Sequence, residues 1–324
     1  MRSDRPILLA DIGGTNARFA LLGNDDQGPH AVRRSPCDDY SGLTEAAEDY
    51  LSAVDGPRPA GAIVAVAGPV SAGEFTLTNS GWRISPAQIR KSLNLSDLVI
   101  VNDFVAQAMA VPVLSGRDLR QLGPGAARAE APVAVIGPGT GLGVASLVRC
   151  AGQWQPIEGE GGHVTYSPVT DREMQVAASV RDRYGHCSAE RLLSGPGLAL
   201  LHETLARLNG AEIAEPLEPE TVVRRARGGD PRAREAVTLF LDGLATAAGN
   251  LVLTLGASGG VYLCGGILPR LGALLDPAAF RRRFEEKGRF AEYLAAIPTY
   301  LVTAEEPALR GLAFIVRQRR PRGR

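Results

Sequence analysis

The sequence predicts an α/β protein of two similar lobes facing a cleft, each built on a β-β-β-α-β-α-β-α unit. Three observations carry this. The chain has 324 residues, about two domains' worth at roughly 150 residues per domain. An apolar run, a glycine turn and a second apolar run occur twice, over Leu9–Leu21 and Val133–Leu147. Around these repeats, short apolar runs alternate with stretches of helical periodicity.

The first unit begins with Ile7–Ile12, apolar apart from Asp11, which Gly13-Gly14 ends before a second run over Ala17–Gly23. His30–Arg34 supplies a third short strand. Leu43, Ala46, Ala47, Tyr50, Leu51 and Val54 then recur at helical spacing. Ala62–Ala67 reads as a buried strand, Ser85–Leu93 as a helix with Pro86 at its start, Leu98–Val101 as a strand and Phe104–Val111 as a helix closed by Pro112. The second unit opens with Pro132–Ile136, the turn Gly137–Gly141, Leu142–Val148 and Gln153–Ile157. After several helices comes the clearest one, Pro231–Leu255, with Asp230 as N-cap, Pro231 at the first helical position and Gly256 past its end. Gly260–Cys264 and Thr299–Val302 are strands, Leu309–Val316 is a closing helix, and the basic tail Arg317–Arg324 reads as a solvated, frayed terminus.

Composition removes several function classes. Lys+Arg and Asp+Glu both number 35, so the electrostatic footprint of a nucleic-acid binder is missing. Cys37, Cys150, Cys187 and Cys264 are far apart with no C-x-x-C pair, which fits free thiols in a reducing compartment. Ile7–Ala10 is too short for a signal-peptide core. Gly243–Pro269 carries no charge, but glycines and Asn250 interrupt it, so a buried helix followed by a buried strand explains it better than a membrane span. The expectation is a cytoplasmic protein with neither membrane nor nucleic-acid partners.

Four kinds of feature can carry chemistry. Gly13-Gly14-Thr15-Asn16 and Gly139-Thr140-Gly141 combine bare backbone with hydroxyl or amide donors, a composition able to close around phosphate oxygens. Neither is a P-loop or a dinucleotide fingerprint, since there is no G-x-x-x-x-G-K-[ST], no G-x-G-x-x-G, and a strand follows each turn. Asn102-Asp103-Phe104 sets a carboxylate where a strand gives way to a helix, and both a helix cap and a catalytic group fit that position. Glu158-Gly-Glu160-Gly-Gly-His163, followed by Ser188-Ala-Glu190-Arg191, is rich in hydrogen-bonding groups and poor in apolar ones. That suits a polyhydroxyl ligand, whose every buried hydroxyl needs a partner. A metal reading of Glu160 and His163 lacks a second His or Cys at ligand spacing. Gly259–Ile267 is a strand flanked by glycine pairs, which either admit something flat or allow tight helix–strand packing.

Taken together these motifs resemble the bacterial glucokinase family of the actin/hexokinase superfamily. The resemblance runs from Asp11-Ile-Gly-Gly-Thr-Asn-Ala-Arg18 through Leu77-Thr-Asn-Ser-Gly-Trp82, Asn102-Asp-Phe104 and Gly137-Pro-Gly-Thr-Gly-Leu-Gly143. It continues through Glu160-Gly-Gly-His163, Ser188–Gly197 and Gly259–Ile267 to Lys287-Gly-Arg-Phe290. It implies a duplicated ribonuclease H-like fold, with a small lobe of residues 1–112 plus 304–324 and a large lobe of 113–303. By resemblance, Asp11 and Gly13, Gly14, Thr15 and Asn16 form the first phosphate segment, with Asp11 orienting Mg²⁺ through water. Gly139, Thr140 and Gly141 form the second, and Gly265 and Gly266 lie beside the adenosine. Asn102, Asp103, Glu160, His163 and Glu190 bind glucose, and Asp103 is the catalytic base for its 6-hydroxyl.

The implied reaction is ATP plus glucose giving ADP and glucose 6-phosphate, in a cytoplasmic homodimer. The related ROK sugar kinases and repressors carry a Cys-rich zinc motif after the Glu-Gly-Gly-His segment. Here only Cys187 lies in that region, so no structural zinc is expected, and no helix-turn-helix segment is expected before Ile7. Two other classes remain open: a non-catalytic sugar sensor, which would show a lost base or broken phosphate turn, and an actin-like ATPase, which would leave Glu160, His163 and Glu190 without a role. Among enzymes, the rival is a kinase of another hexose or of another phosphoryl donor.

Overall fold

The computed structural model describes residues 5–23, 27–68, 70, 73–77, 80–211 and 215–319. The chain divides into two compact units, one of Met1–Ser115 with Ala304–Arg324 and one of Gly116–Thr303.

The first unit holds β1 (Ile7–Ile12), β2 (Asn16–Leu22), β3 (Pro29–Pro36), α1 (Leu43–Ala53) and β4 (Gly61–Val66). A two-stranded ribbon follows, β5 (Phe75–Thr76) with β6 (Arg83–Ile84), then α2 (Pro86–Ser92), β7 (Asp97–Asn102) and α3 (Asp103–Ala110). The main sheet has the order β3-β2-β1-β4-β7. β1 pairs antiparallel with β2 and parallel with β4, and β4 pairs parallel with β7. Its central strands β1 and β4 are almost wholly apolar because both faces are covered, Asp11 near the end of β1 being the exception. Leu8, Ala10 and Ile12 pack with Leu43, Tyr50 and Ile89 on one side, while Leu9 and Ile63 pack with Ala106 on the other.

The second unit holds β8 (Leu119–Gln121), β9 (Val133–Pro138), β10 (Leu142–Cys150), β11 (Gln153–Glu158) and the helices α4 (Asp171–Tyr184), α5 (Ala189–Leu192), α6 (Gly195–Leu208), α7 (Pro219–Arg227) and α8 (Pro231–Leu255). There follow β12 (Val261–Leu263), α9 (Ile267–Leu271), α10 (Pro277–Glu285), α11 (Ala291–Ala295) and β13 (Thr299–Val302). The sheet order is β11-β10-β9-β12-β13-β8, with β12 parallel to both β9 and β13 and β8 antiparallel to β13.

Helix α8 starts and stops where the sequence signals. Asp230 caps it by accepting from the Ala233 N–H at 2.9 Å, and Gly256 leaves it in the left-handed region at φ 62°. By length and composition alone α8 could cross a membrane. Its apolar residues, including Val237, Phe240, Leu244 and Val252, are instead buried against Phe280 and Phe284 of α10 and other core residues, which accounts for the long uncharged stretch. The chain then returns to the first unit as α12 (Pro307–Arg319), whose Leu309 and Leu312 cover Leu9 and Ile63 of the first sheet. Arg317–Arg319, expected in a frayed tail, form the last turn of this helix; residues 320–324 lie outside the described residues.

Candidate functional site

In the first unit, the residues singled out from sequence gather at the C-terminal edge of the sheet, where Ile12, Val66 and Asn102 lie in register on β1, β4 and β7. Ligands of open α/β sheets bind at that edge. The turn between β1 and β2 is closed by the Gly13 N–H, which donates to Asn16 O at 3.0 Å, and the Cys37 N–H tethers it by donating to Thr15 O at 2.9 Å. The Asn16 side chain is engaged locally: Nδ2 donates to Thr15 Oγ1, and Oδ1 accepts from Arg34 Nε, both at 2.9 Å.

Asp11 is only 7% exposed. It sits opposite Arg18 on the β1–β2 ladder, with Arg18 Nη1 3.1 Å from its Oδ2. Arg18 Nε in turn stands 2.8 Å from Glu306 Oε2, just before α12. Burial pushes the Asp11 carboxyl above its ordinary range and Arg18 pulls it back, while Glu306 adds to the rise. The sequence motif contained Arg18 but offered no reason to give it a role. Glu306 was missed altogether.

At the other strand end, the cap and the candidate base are separate residues. Asn102 is the N-cap of α3: its Oδ1 accepts from the N–H groups of Phe104 at 2.8 Å and Val105 at 3.3 Å, and its Nδ2 donates to Gly68 O at 3.1 Å. Asp103 is the first helical residue, half-buried, with the Phe104 N–H 2.9 Å from its Oδ1. The capping role open to Asp103 on sequence therefore belongs to its neighbour. Of the Leu77–Trp82 motif, Leu77 and Trp82 are core residues, and Thr78 and Asn79 lie outside the described residues.

In the second unit, the turn between β9 and β10 is closed by the Gly139 N–H donating to Gly141 O at 2.7 Å. The first N–H of α6, from Gly195, donates to Gly139 O at 2.8 Å. Gly265 and Gly266 follow β12 beside this turn. Gly265 has φ 89°, and a Cβ there would lie 2.4 Å from Pro138 O, so only glycine admits this approach to β9.

A 3₁₀ turn over Gly161–His163 follows β11. The next residues pair with the segment leading into α5: Ala189 N–H donates to Val164 O at 2.8 Å and Tyr166 N–H to Cys187 O at 2.9 Å. This pairing brings Glu160, His163 and Glu190 together. His163 Nε2 is 3.9 Å from Glu160 Oε2 and 3.8 Å from Glu190 Oε1. At those separations the three groups converge without spending their hydrogen-bonding capacity on one another. The other oxygen of Glu190, Oε2, accepts from the Leu142 N–H at 2.8 Å, at the edge of the Gly139–Gly141 turn. A Cβ on Gly141 would come within 2.4 Å of that oxygen, so any larger residue in the turn must displace the end of the Glu190 side chain.

Behind this loop lies a buried ion pair that the sequence did not announce. Glu173, 1% exposed, completes a capping box with Thr170 at the start of α4. Both its oxygens lie 2.5 Å from Arg283 Nη2. Arg283 Nε also donates to Thr246 Oγ1 at 2.9 Å, and the buried Tyr166 hydroxyl donates to Glu173 Oε1 at 3.4 Å. α4, α8, α10 and the loop after His163 thus meet at one hub.

Among the described residues, no group of three or more His, Cys, Asp or Glu side chains is arranged to hold a metal ion. The residues named from sequence fall into two sets. Asp11, Gly13–Asn16, Asn102 and Asp103 share one sheet edge of the first unit, and Gly139–Gly141, Glu160, His163, Glu190, Gly265 and Gly266 cluster in the second.

The Glucokinase family model matches residues 8–319. The glucokinase of Aromatoleum aromaticum is 48% identical over 312 residues, 95% of this chain and 93% of that one. The structure of a glucokinase from an Antarctic psychrotroph superposes with a TM-score of 0.86 at 37% identity, covering 97% of this chain and 99% of that one. A ROK family glucokinase from Streptomyces griseus, solved with glucose and AMPPNP, shares the fold at a TM-score of 0.65 and 19% identity, over 97% and 99% of the two chains. With the family model spanning nearly its whole length, the chain belongs to the glucokinase family.

Proposed function

We propose that the protein transfers the γ-phosphoryl group of ATP to the 6-hydroxyl of glucose, giving glucose 6-phosphate and ADP, as a cytoplasmic homodimer. The observation that carries this reading is the convergence of Glu160, His163 and Glu190 beside a glycine turn whose backbone can hold phosphate. A kinase must bring those two chemistries together. An ATPase without a small substrate has no use for the first, and a sugar sensor none for the second. The two sheets support a duplicated ribonuclease H-like origin, since β3-β2-β1-β4-β7 and β11-β10-β9-β12-β13 repeat one order of antiparallel and parallel neighbours.

In this reading Glu160, His163, Glu190 and Asn102 hold glucose hydroxyls, and Asn102 has an Nδ2 hydrogen left for one after its bond to Gly68 O. Asp103 accepts the proton of the 6-hydroxyl as that oxygen's lone pair forms the new bond to the γ-phosphorus. The bond from that phosphorus to the bridging oxygen breaks, and ADP leaves. The two turns, Gly13–Asn16 and Gly139–Gly141, position the phosphates, and Gly265 and Gly266 lie along the adenosine. Phosphoryl transfer through a loose transition state asks mainly for such positioning and for charge neutralisation. Mg²⁺, when bound with ATP, supplies part of that neutralisation. Asp11 fits a role toward it through water: Arg18 holds its Oδ2, its Oδ1 is not so engaged, and Mg²⁺ on nucleotide phosphates keeps several waters.

Glu160→Gln tests the sugar site. The amide keeps the shape but loses charge-assisted acceptance from a hydroxyl, worth about 1.5–3 kcal/mol. The value of kcat/KM for glucose is expected to fall about tenfold or more. Unchanged glucose kinetics in a folded variant place the sugar elsewhere.

A further inference from the structure

We infer that Glu190 is a strut coupling the hexose site to the second phosphate turn, so that glucose and nucleotide each strengthen the other's binding. The inference rests on the kinase reading above and goes beyond it, giving a sugar-site carboxylate a second task. Its two oxygens are committed differently. Oε2 is fixed by the Leu142 N–H at 2.8 Å, and Oε1 faces the sugar cluster 3.8 Å from His163 Nε2. The carboxylate is anchored at its own end, because Ser188 caps α5 by accepting from the Arg191 N–H at 3.2 Å and Ala189 is tied to Val164. The turn is equally restrained, closed by Gly139 N–H to Gly141 O and held at Gly139 O by the start of α6.

Between two anchored elements, a single charge-assisted hydrogen bond transmits displacement in both directions. A sugar hydroxyl bonding Oε1 orients the carboxylate and fixes the Leu142 N–H. A phosphate seated in the turn fixes that N–H and orients the carboxylate. Glu160 offers the contrast, since its carboxylate approaches His163 and has no contact with the turn among those seen in the described residues. Gly141 offers a second, because a methyl group there must push Glu190 Oε2 away while lying on the nucleotide side. Coupling between sites is reciprocal and typically amounts to about 5–150-fold.

The experiment is a calorimetric titration of the full chain with Mg²⁺ and AMPPNP, first without sugar and then at saturating glucose. Glucose is expected to tighten AMPPNP about tenfold in the parent and in Glu160→Gln, and by less than about twofold in Glu190→Ala. The reverse titration, glucose without nucleotide, is expected to show Gly141→Ala weakening glucose about fivefold or more, an effect that disappears in a Glu190→Ala background. Equal tightening of AMPPNP by glucose in the parent and Glu190→Ala overturns the strut, and so does a Gly141→Ala variant that binds glucose like the parent. Failure of the parent itself to bind glucose and AMPPNP sinks the kinase reading instead, so the two failures are distinct.

Discussion

Asp103→Asn is expected to fold like the parent and to phosphorylate glucose at least about a hundredfold more slowly. The structure gives one of the two roles open to Asp103 on sequence, the helix cap, to its neighbour. Asn102 supplies the side-chain cap of α3, with Oδ1 on the N–H groups of Phe104 and Val105. Asp103 is not that cap, and Asn keeps its length, its shape and an Oδ1 to accept from the Phe104 N–H, so a stability change near zero is expected on melting. In the reaction, an amide cannot take up the proton of the 6-hydroxyl, and loss of a general base typically costs about 10²–10⁴ in rate. AMPPNP affinity is expected to stay near that of the parent, while glucose affinity weakens because the carboxylate also holds the hydroxyl. Near-normal kcat in a well-folded Asp103→Asn protein refutes the catalytic role.

The largest effect on stability is expected at the ion-pair hub behind the Gly161–His163 turn. Arg283→Met leaves Glu173 buried without its guanidinium, and removing one partner of a buried pair typically costs about 3–5 kcal/mol. The packed stem is largely retained in Met, so the loss reads on the charge. A Glu173→Gln, Arg283→Met double variant is expected to be destabilised by less than the sum of the single changes, as residues in one network are. The pH dependence follows from Glu173. Burial raises its carboxyl, but donors from Thr170 and Val169 together with Arg283 outweigh burial and hold it below the ordinary carboxylate range. The stability it contributes is complete above that range and is lost as pH falls through it toward the lower folded value. Urea unfolding across acidic pH is expected to show this loss in the parent and a smaller one in Arg283→Met. Equal stability of parent and variant at neutral pH contradicts a structural role for the pair.

Much of this architecture is written locally in the chain. The two hairpins were legible because glycines interrupt continuous apolar runs, and α8 because Asp230, Pro231 and Gly256 mark its ends. Glu160, His163 and Glu190 were legible as a polar group on glycine-rich segments, and the structure brings the two carboxylates to 3.9 and 3.8 Å from His163 Nε2. What stayed hidden depends on distant residues or on a single position. Glu173 and Arg283 are 110 residues apart, and neither segment carries a sign of the other. Glu306 reaches Arg18 only because α12 returns to the first sheet. β8, three residues reading Leu-Arg-Gln, has too little pattern to announce a strand and exists by pairing with β13. The sequence left the cap of α3 open because Asn102 and Asp103 are both good capping types, and only backbone geometry decides between neighbours.

The account's central claim is glucose phosphorylation by ATP, and the direct test is a coupled assay of the purified protein against a panel of hexoses and phosphoryl donors. The expected result is one glucose 6-phosphate formed per ATP consumed, with glucose giving the highest kcat/KM among the hexoses and ATP among the donors. A folded protein that leaves glucose unphosphorylated with every donor, or that prefers another hexose, contradicts it.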